Sequence, residues 1–159
     1  MKIGVVNGPN LGSLGRREPA IYGRQSLAAL MADCTAWAES LGVSLDVYQS
    51  NHEGSLIDFL EERGPTWDGL IINPGALAHY GLALRDAVAA LPCPTIEVHL
   101  SNVQAREPFR RQSVLAPVTW GQIVGLGGLG YRLAISALEE RARGGSTPES
   151  DEEKGRSTP

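Results

Sequence analysis

The sequence predicts an α/β protein: a doubly wound sheet of five parallel strands with helices on both faces. Three observations carry that expectation. Strand-like apolar runs alternate along the chain with segments whose apolar residues recur at helical spacing. Runs such as "KIGVV" and "GLIIN" are apolar throughout, as strands covered on both faces must be. Glycine and proline punctuate the ends of the elements.

Taken in order, "KIGVV" opens the chain as a buried strand, and a long loop follows. "SLAALMADCTAWAESLG" reads as a helix with Ser26 as N-cap and Gly42 as its stop. "VSLDVYQ" alternates as a strand, and "EGSLIDFLEERG" is a short amphipathic helix closed by Gly64 and Pro65. "DGLIINPGA" is the third strand, and "LALRDAVAAL" a helix stopped by Pro92. "TIEVHLSN" is the fourth strand. "SVLAPVT" is expected as the fifth, with Pro117 placing it at a sheet edge. "GQIVGLGGLGYRLAISALEERAR" reads as the last helix. Residues 1–143 then form one domain. Residues 144–159, "GGSTPESDEEKGRSTP", bury too little apolar area to offset ordering and are expected to be a disordered tail.

Strands that alternate with helices join through right-handed crossovers, and five of them suit a flavodoxin-like order. Ligands of such sheets bind beyond the carboxyl ends of the strands. The segments there are residues 7–10, 49–53, 73–79 and 99–110, the most polar and least generic parts of the chain.

Composition narrows the function. A chain of 159 residues with 42% hydrophobic and 20% charged residues is an ordinary globular protein, and a net charge of −4 gives no basic footprint for nucleic acid. No apolar run reaches the length of a membrane span or a signal peptide. Cys34 and Cys93 make no disulfide framework and read as reduced thiols, as in a cytoplasmic protein. Of the 14 basic residues only Lys2 and Lys154 are lysines, one opening the first strand and one in the tail. A buried Schiff-base lysine therefore has no place in this chain.

Chemistry-bearing residues gather near the ends of the third and fourth strands. In "IEVHLSN", Glu97, His99 and Ser101 share one face of a strand. A carboxylate beside an imidazole fixes its tautomer and supports its protonated form, which suits a general acid. A Ser-His-Glu triad fits poorly, because neighbours on one extended strand seldom reach the needed geometry. His52, His79, His99 and Glu97 match no compact metal motif. Arg106, Arg110 and Arg111 follow closely, suited to gripping a carboxylate or hydroxyl-rich ligand. Asn73 offers an amide and His79 a second imidazole. "GLGGLG", residues 125–130, matches a dinucleotide fingerprint formally. It is read instead as a stretch of helix backbone that another element or subunit approaches closely.

The loop "NGPNLGSLGRREPAIYG" is too long for a turn and too specific for a linker. Tyr22 would need cations to act as a base at neutral pH, since a phenol titrates near 10. Arg17 on the loop and Arg106 across the rim are placed to supply them. Gly12, Gly15 and Gly23 would let the segment close over a substrate as a lid.

These motifs, with "QSNHEG", "INPGALAHYGLALRD", "IEVHLSNVQAREPFRRQS" and "GLGYRLAISAL", resemble those of the type II 3-dehydroquinate dehydratases, in that family's order and over all but the tail. The resemblance implies a flavodoxin-like lyase that dehydrates 3-dehydroquinate to 3-dehydroshikimate without metal or cofactor, in the shikimate pathway or in quinate breakdown. It also implies a homo-dodecamer of four trimers. The roles it implies are these. Tyr22, tuned by Arg17 and Arg106, removes a proton from C2, and a water held by Asn10 steadies the enolate. His99, oriented by Glu97, protonates the departing hydroxyl. Asn73 and the backbone N–H groups of Leu100 and Ser101 bind the carboxylate. His79 and Arg110 meet ring hydroxyls, with Asp86 supplied by a neighbouring subunit. The chain departs from the family's pattern at Ala78, Gly81, Gln112 and Val114, all positions that bear on the packing and hydrogen bonding of His79.

Overall fold

Strand β1 (Lys2–Asn7) pairs on one side with β2 (Ser44–Gln49) and on the other with β3 (Gly69–Asn73). The computed structural model describes residues 1–16 and 25–144. Beyond β3 lie β4 (Thr95–His99) and β5 (Gly121–Val124), completing a sheet of five strands in the order β2-β1-β3-β4-β5. Every pairing is parallel, so all the carboxyl ends face one way. The order is flavodoxin-like, with the chain reversing its winding direction between β1 and β3.

Helices α1 (Leu27–Ser40) and α4 (Leu129–Ala142) cover one face of the sheet, and α2 (Glu53–Arg63) and α3 (Leu82–Ala89) the other. Successive residues of a strand point to opposite faces, and the two cores follow from that alternation. Ile3, Val5, Ile71, Ile96 and Val98 meet Leu30, Cys34, Tyr131 and Ile135 on one side. Val6, Leu70 and Ile72 meet Leu56, Leu60, Trp67 and Leu84 on the other. Gly4 is required on the second face: a Cβ there would lie 2.5 Å from the Trp67 ring. Ser26 caps α1 as expected, its hydroxyl accepting the Ala29 N–H at 3.2 Å.

At the amino-terminal end of the sheet, Asp46 binds Lys2, Arg63 and the Trp67 indole N–H, the last at 3.1 Å. Burial pushes the Asp46 carboxyl up, but these three partners outweigh it and hold the group below its ordinary value. No described helix is long and apolar enough to cross a membrane.

Three expectations are corrected. "SVLAPVT" is not the fifth strand. Its residues Ala116–Val118 form a 3₁₀ turn, because Pro117 has no N–H for a ladder and the Ser113 hydroxyl accepts the N–H groups of Leu115 and Ala116. The fifth strand is "GQIV", which had been assigned to the start of the last helix. The glycine run is therefore not a stretch of helix backbone: residues 125–128 link β5 to α4, and only Leu129 and Gly130 lie within the helix. It follows the last strand, and among the described residues no further strand comes after it to complete a dinucleotide unit. Gly125 and Gly127 turn the chain at φ 87 and 56, and a Cβ on Gly130 would sit 3.3 Å from both Val98 and Ile123. At Gly130 alone this is the close approach of helix backbone to another element that was expected of the run. The tail from residue 145 onward lies outside the described residues.

Candidate active site

A cleft of about 110 Å³ opens beyond the carboxyl ends of β1, β3 and β4, where the winding of the sheet reverses. Its walls are the segments after those strands. Gly8 donates its N–H to the Asn73 carbonyl at 2.8 Å, and a Cβ at Gly8 would fall 2.5 Å from the Pro74 carbonyl oxygen. The loops after β1 and β3 therefore pack backbone to backbone. Leu11, Leu14 and Val103 give the cleft apolar surface.

Glu97 and His99 are the cleft's most buried ionisable pair, fully buried and 7% exposed respectively. They sit two residues apart on β4, so both side chains point the same way. His99 Nε2 donates to Glu97 Oε1 at 2.6 Å, leaving Nδ1 as the ring nitrogen for a ligand. The carboxylate is held by two further donors. Ser113 Oγ lies 2.8 and 2.9 Å from its two oxygens, and Gln122 Nε2 donates to Oε2 at 2.8 Å. Ser113 spends its one hydrogen here because its lone pairs already accept two backbone N–H groups. A buried carboxylate with its acceptor sites engaged is what keeps such a charge tolerable inside a protein.

Sequence reasoning did not find Ser113 or Gln122. Gln122 is the register partner of Glu97 across the β4–β5 ladder, a signal that exists only once residues 121–124 are recognised as a strand. For Ser113 the sequence shows only a serine ahead of a Pro-containing turn, and nothing local says that its hydroxyl also reaches Glu97, 16 positions back.

Of the arginines expected at this rim, Arg111 is exposed and does not line the cleft. Arg106 and Arg110 both line the cleft. Arg106 donates to Ser101 Oγ at 3.3 Å and pairs with Glu107, which Arg110 also binds at 2.8 Å. The hydrogen bond from Arg110 leads the interactions that hold the Glu107 carboxyl below its ordinary value. Leu100 and Ser101 continue β4 into the cleft wall. Asn73, 3% exposed at the end of β3, donates from Nδ2 to the Tyr131 hydroxyl at 2.9 Å and accepts the Gly75 N–H at 3.2 Å.

Asn10 is the one non-glycine residue with positive φ, at 70°, among the described residues. Its backbone is pinned: its N–H donates to Asn51 Oδ1 at 2.9 Å and its carbonyl accepts Ser13 Oγ at 2.8 Å. Asparagine tolerates this left-handed conformation better than most residues, and bonds on both sides hold it at the mouth of the cleft. Residues 49–53, expected on the rim, act behind it: Gln49 and Asn51 brace this turn.

His79 Nδ1 meets the carbonyl oxygen of Gln112 at 2.8 Å and must donate to it, so Nε2 is the nitrogen available to a ligand. The contact uses the backbone, so the departure at Gln112 leaves it intact. Gly81 departs from a hydroxyl residue at the N-cap of α3, and the missing cap is replaced from outside. Glu53 on α2 reaches across, its Oε1 accepting the Leu84 N–H at 3.2 Å. At Val114 and Ala78 the tie is again through backbone, from the Val114 N–H to the Ala78 carbonyl at 2.7 Å.

Asp86 is not in this cleft. It is exposed on α3 and paired with Arg85 at 2.8 Å. Arg17 and Tyr22 lie outside the described residues. Lys2 sits at the amino end of β1, opposite the cleft, 3.4 Å from Asp46. Among the described residues no three His, Cys, Asp or Glu side chains come together as metal ligands.

Fold and cleft define a flavodoxin-like α/β protein with a buried carboxylate–imidazole pair facing a cleft at its switch point. The comparisons with known proteins narrow the class. The family model for class II dehydroquinase matches residues 1–139. The 3-dehydroquinate dehydratase of Roseiflexus castenholzii is 62% identical over 138 residues, covering 87% of this chain and 88% of that one. That of Anoxybacillus flavithermus is 58% identical over 140 residues, covering 88% and 95%. The crystal structure of the type II dehydroquinase from Butyrivibrio crossotus superposes with a TM-score of 0.85 at 48% identity, over 87% of this chain and 97% of that one. The chain belongs to the class II dehydroquinase family and is an enzyme of that class.

Proposed function

We propose that this chain dehydrates 3-dehydroquinate to 3-dehydroshikimate by eliminating water across C1 and C2 through an enolate. The observation that carries the reading is the Glu97–His99 pair, bonded at 2.6 Å and facing a cleft lined with arginines and amides. A carboxylate-backed imidazole can hold a proton and deliver it to a leaving hydroxyl. Tyr22, with Arg17 and Arg106 favouring its phenolate, takes the C2 proton. The C–H electrons pass into the enolate, and a water held by Asn10 steadies the oxyanion. The electrons return to form the C1–C2 double bond as the hydroxyl leaves, and the proton from His99 converts it to water. Asn73 with the N–H groups of Leu100 and Ser101 grips the carboxylate, while His79 and Arg110 meet ring hydroxyls. Asp86, exposed on its helix, reaches the cleft of a neighbouring copy.

The same reading makes residues 1–143 a single catalytic domain in a dodecamer of four trimers, working in the cytoplasm without metal, cofactor or imine. An ultraviolet assay for the conjugated enone, run with and without chelator, tests it. Enone that accumulates equally in both supports the lyase. No enone from 3-dehydroquinate, or a rate that the chelator abolishes, overturns it.

A further inference from the structure

Tyr131 is the largest fully buried side chain with a polar atom that the reaction does not use. It lies on α4, and its hydroxyl stands between two asparagines from different strands. The distances are 2.6 Å to Asn7 Oδ1 and 2.9 Å to Asn73 Nδ2.

Counting hydrogens settles how this chain runs. An amide oxygen can only accept, so the single phenolic hydrogen goes to Asn7. The phenol oxygen is then left to accept, and Asn73 must present its nitrogen to it. At the other end, Asn73 Oδ1 accepts the Gly75 N–H, and Asn7 is itself oriented by its Nδ2 lying 3.7 Å from Met31 Sδ. Burial pushes the Tyr131 phenol well up, so it stays neutral and keeps the hydrogen on which this order depends. The second hydrogen of Asn73 Nδ2 is left for the cleft that the residue lines.

We propose that Tyr131 is a positioning residue, whose hydroxyl locks the Asn73 amide so that a nitrogen donor faces the substrate's anionic group. The inference rests on the reading of Asn73 as a carboxylate ligand. An amide turned the other way would aim its oxygen at a carboxylate and repel it. The lock is built on α4 and reaches the cleft only through Asn73.

A double-mutant cycle on the full chain tests this. Tyr131→Phe, which removes the hydroxyl alone, should raise KM for 3-dehydroquinate about three- to tenfold and leave kcat within about twofold. In an Asn73→Ala background the same substitution should have no further effect on KM, because the amide it orients is gone. Asn7→Ala cuts the relay one step earlier and should also raise KM only where Asn73 is present. It serves in place of Tyr131→Phe should that variant fail to fold. An unchanged KM in the single variants, a loss confined to kcat, or effects that add to that of Asn73→Ala would each overturn the proposal. If Asn73→Ala itself leaves KM unaltered, the carboxylate reading falls and the relay with it. If Asn73→Ala raises KM while Tyr131→Phe acts independently, only the relay falls.

Discussion

In the proposed mechanism each reacting side chain needs a neighbour to tune or hold it. The base proposed at Tyr22 is the clearest case for chemistry: a phenol near pKa 10 is useless as a base at neutral pH without cations beside it. Tyr22→Phe is expected to lower kcat about 10²- to 10⁴-fold while leaving substrate binding close to wild type, measured by steady-state turnover and by calorimetric titration. Ser113 is the clearest case for support. Its hydroxyl ties the Glu97 carboxylate to the turn at 115–116, so Ser113→Ala should cut kcat about tenfold with little change in KM. Thermal melting of the same variant separates lost alignment from lost fold. Glu97, His99, the arginines and Asn73 were legible as residues because their types, crowded after strand ends, have few structural uses. Ser113, Gln122 and Tyr131 were not. Serine, glutamine and a buried tyrosine look ordinary until their partners, 16, 25 and 58 or more positions away, are known.

Among the elements, the first four strands and all four long helices follow from periodicity and punctuation. The fifth strand does not. "GQIV" is only four residues long and runs into a glycine-rich turn, so its pattern merges with that of the helix beyond. "SVLAPVT" carries the composition of a strand, but the Ser113 side chain claims its backbone hydrogens first. Local propensity lost to a single side-chain cap. At the far edge of the sheet, Asp46 joins β1, β2 and α2 through Lys2 and Arg63. Its lowered folded pKa gives stability that is present above the unfolded value of about 4 and lost as pH falls through the folded one. Urea unfolding between pH 2 and 6 should therefore show a smaller loss of stability on acidification in Asp46→Asn than in wild type. At pH 7 Asp46→Ala should be destabilised by about 1–3 kcal/mol, because donors from three residues lose their acceptor.

For the molecule as a whole, the switch-point rule located the cleft before any coordinates did. It located it because parallel strands leave their loops at one end, whatever the loops contain. What the rule cannot supply is a residue from another copy. Asp86 stands exposed on α3, whose first turn is capped by Glu53 of α2, so the helix is held firmly while its outer face stays open. If Asp86 completes a neighbour's cleft, activity per chain should fall at least tenfold when dilution dissociates the assembly, followed by sedimentation alongside the enone assay. A fully active monomer would remove Asp86 from the site. Gln122 gives the last consequence. It fastens the Glu97 carboxylate from a four-residue strand whose one partner among the described strands is β4. Warming would loosen that border strand before the interior gives way. The imidazole would then lose its aim while most of the chain was still native, and heat would silence this catalyst ahead of melting it.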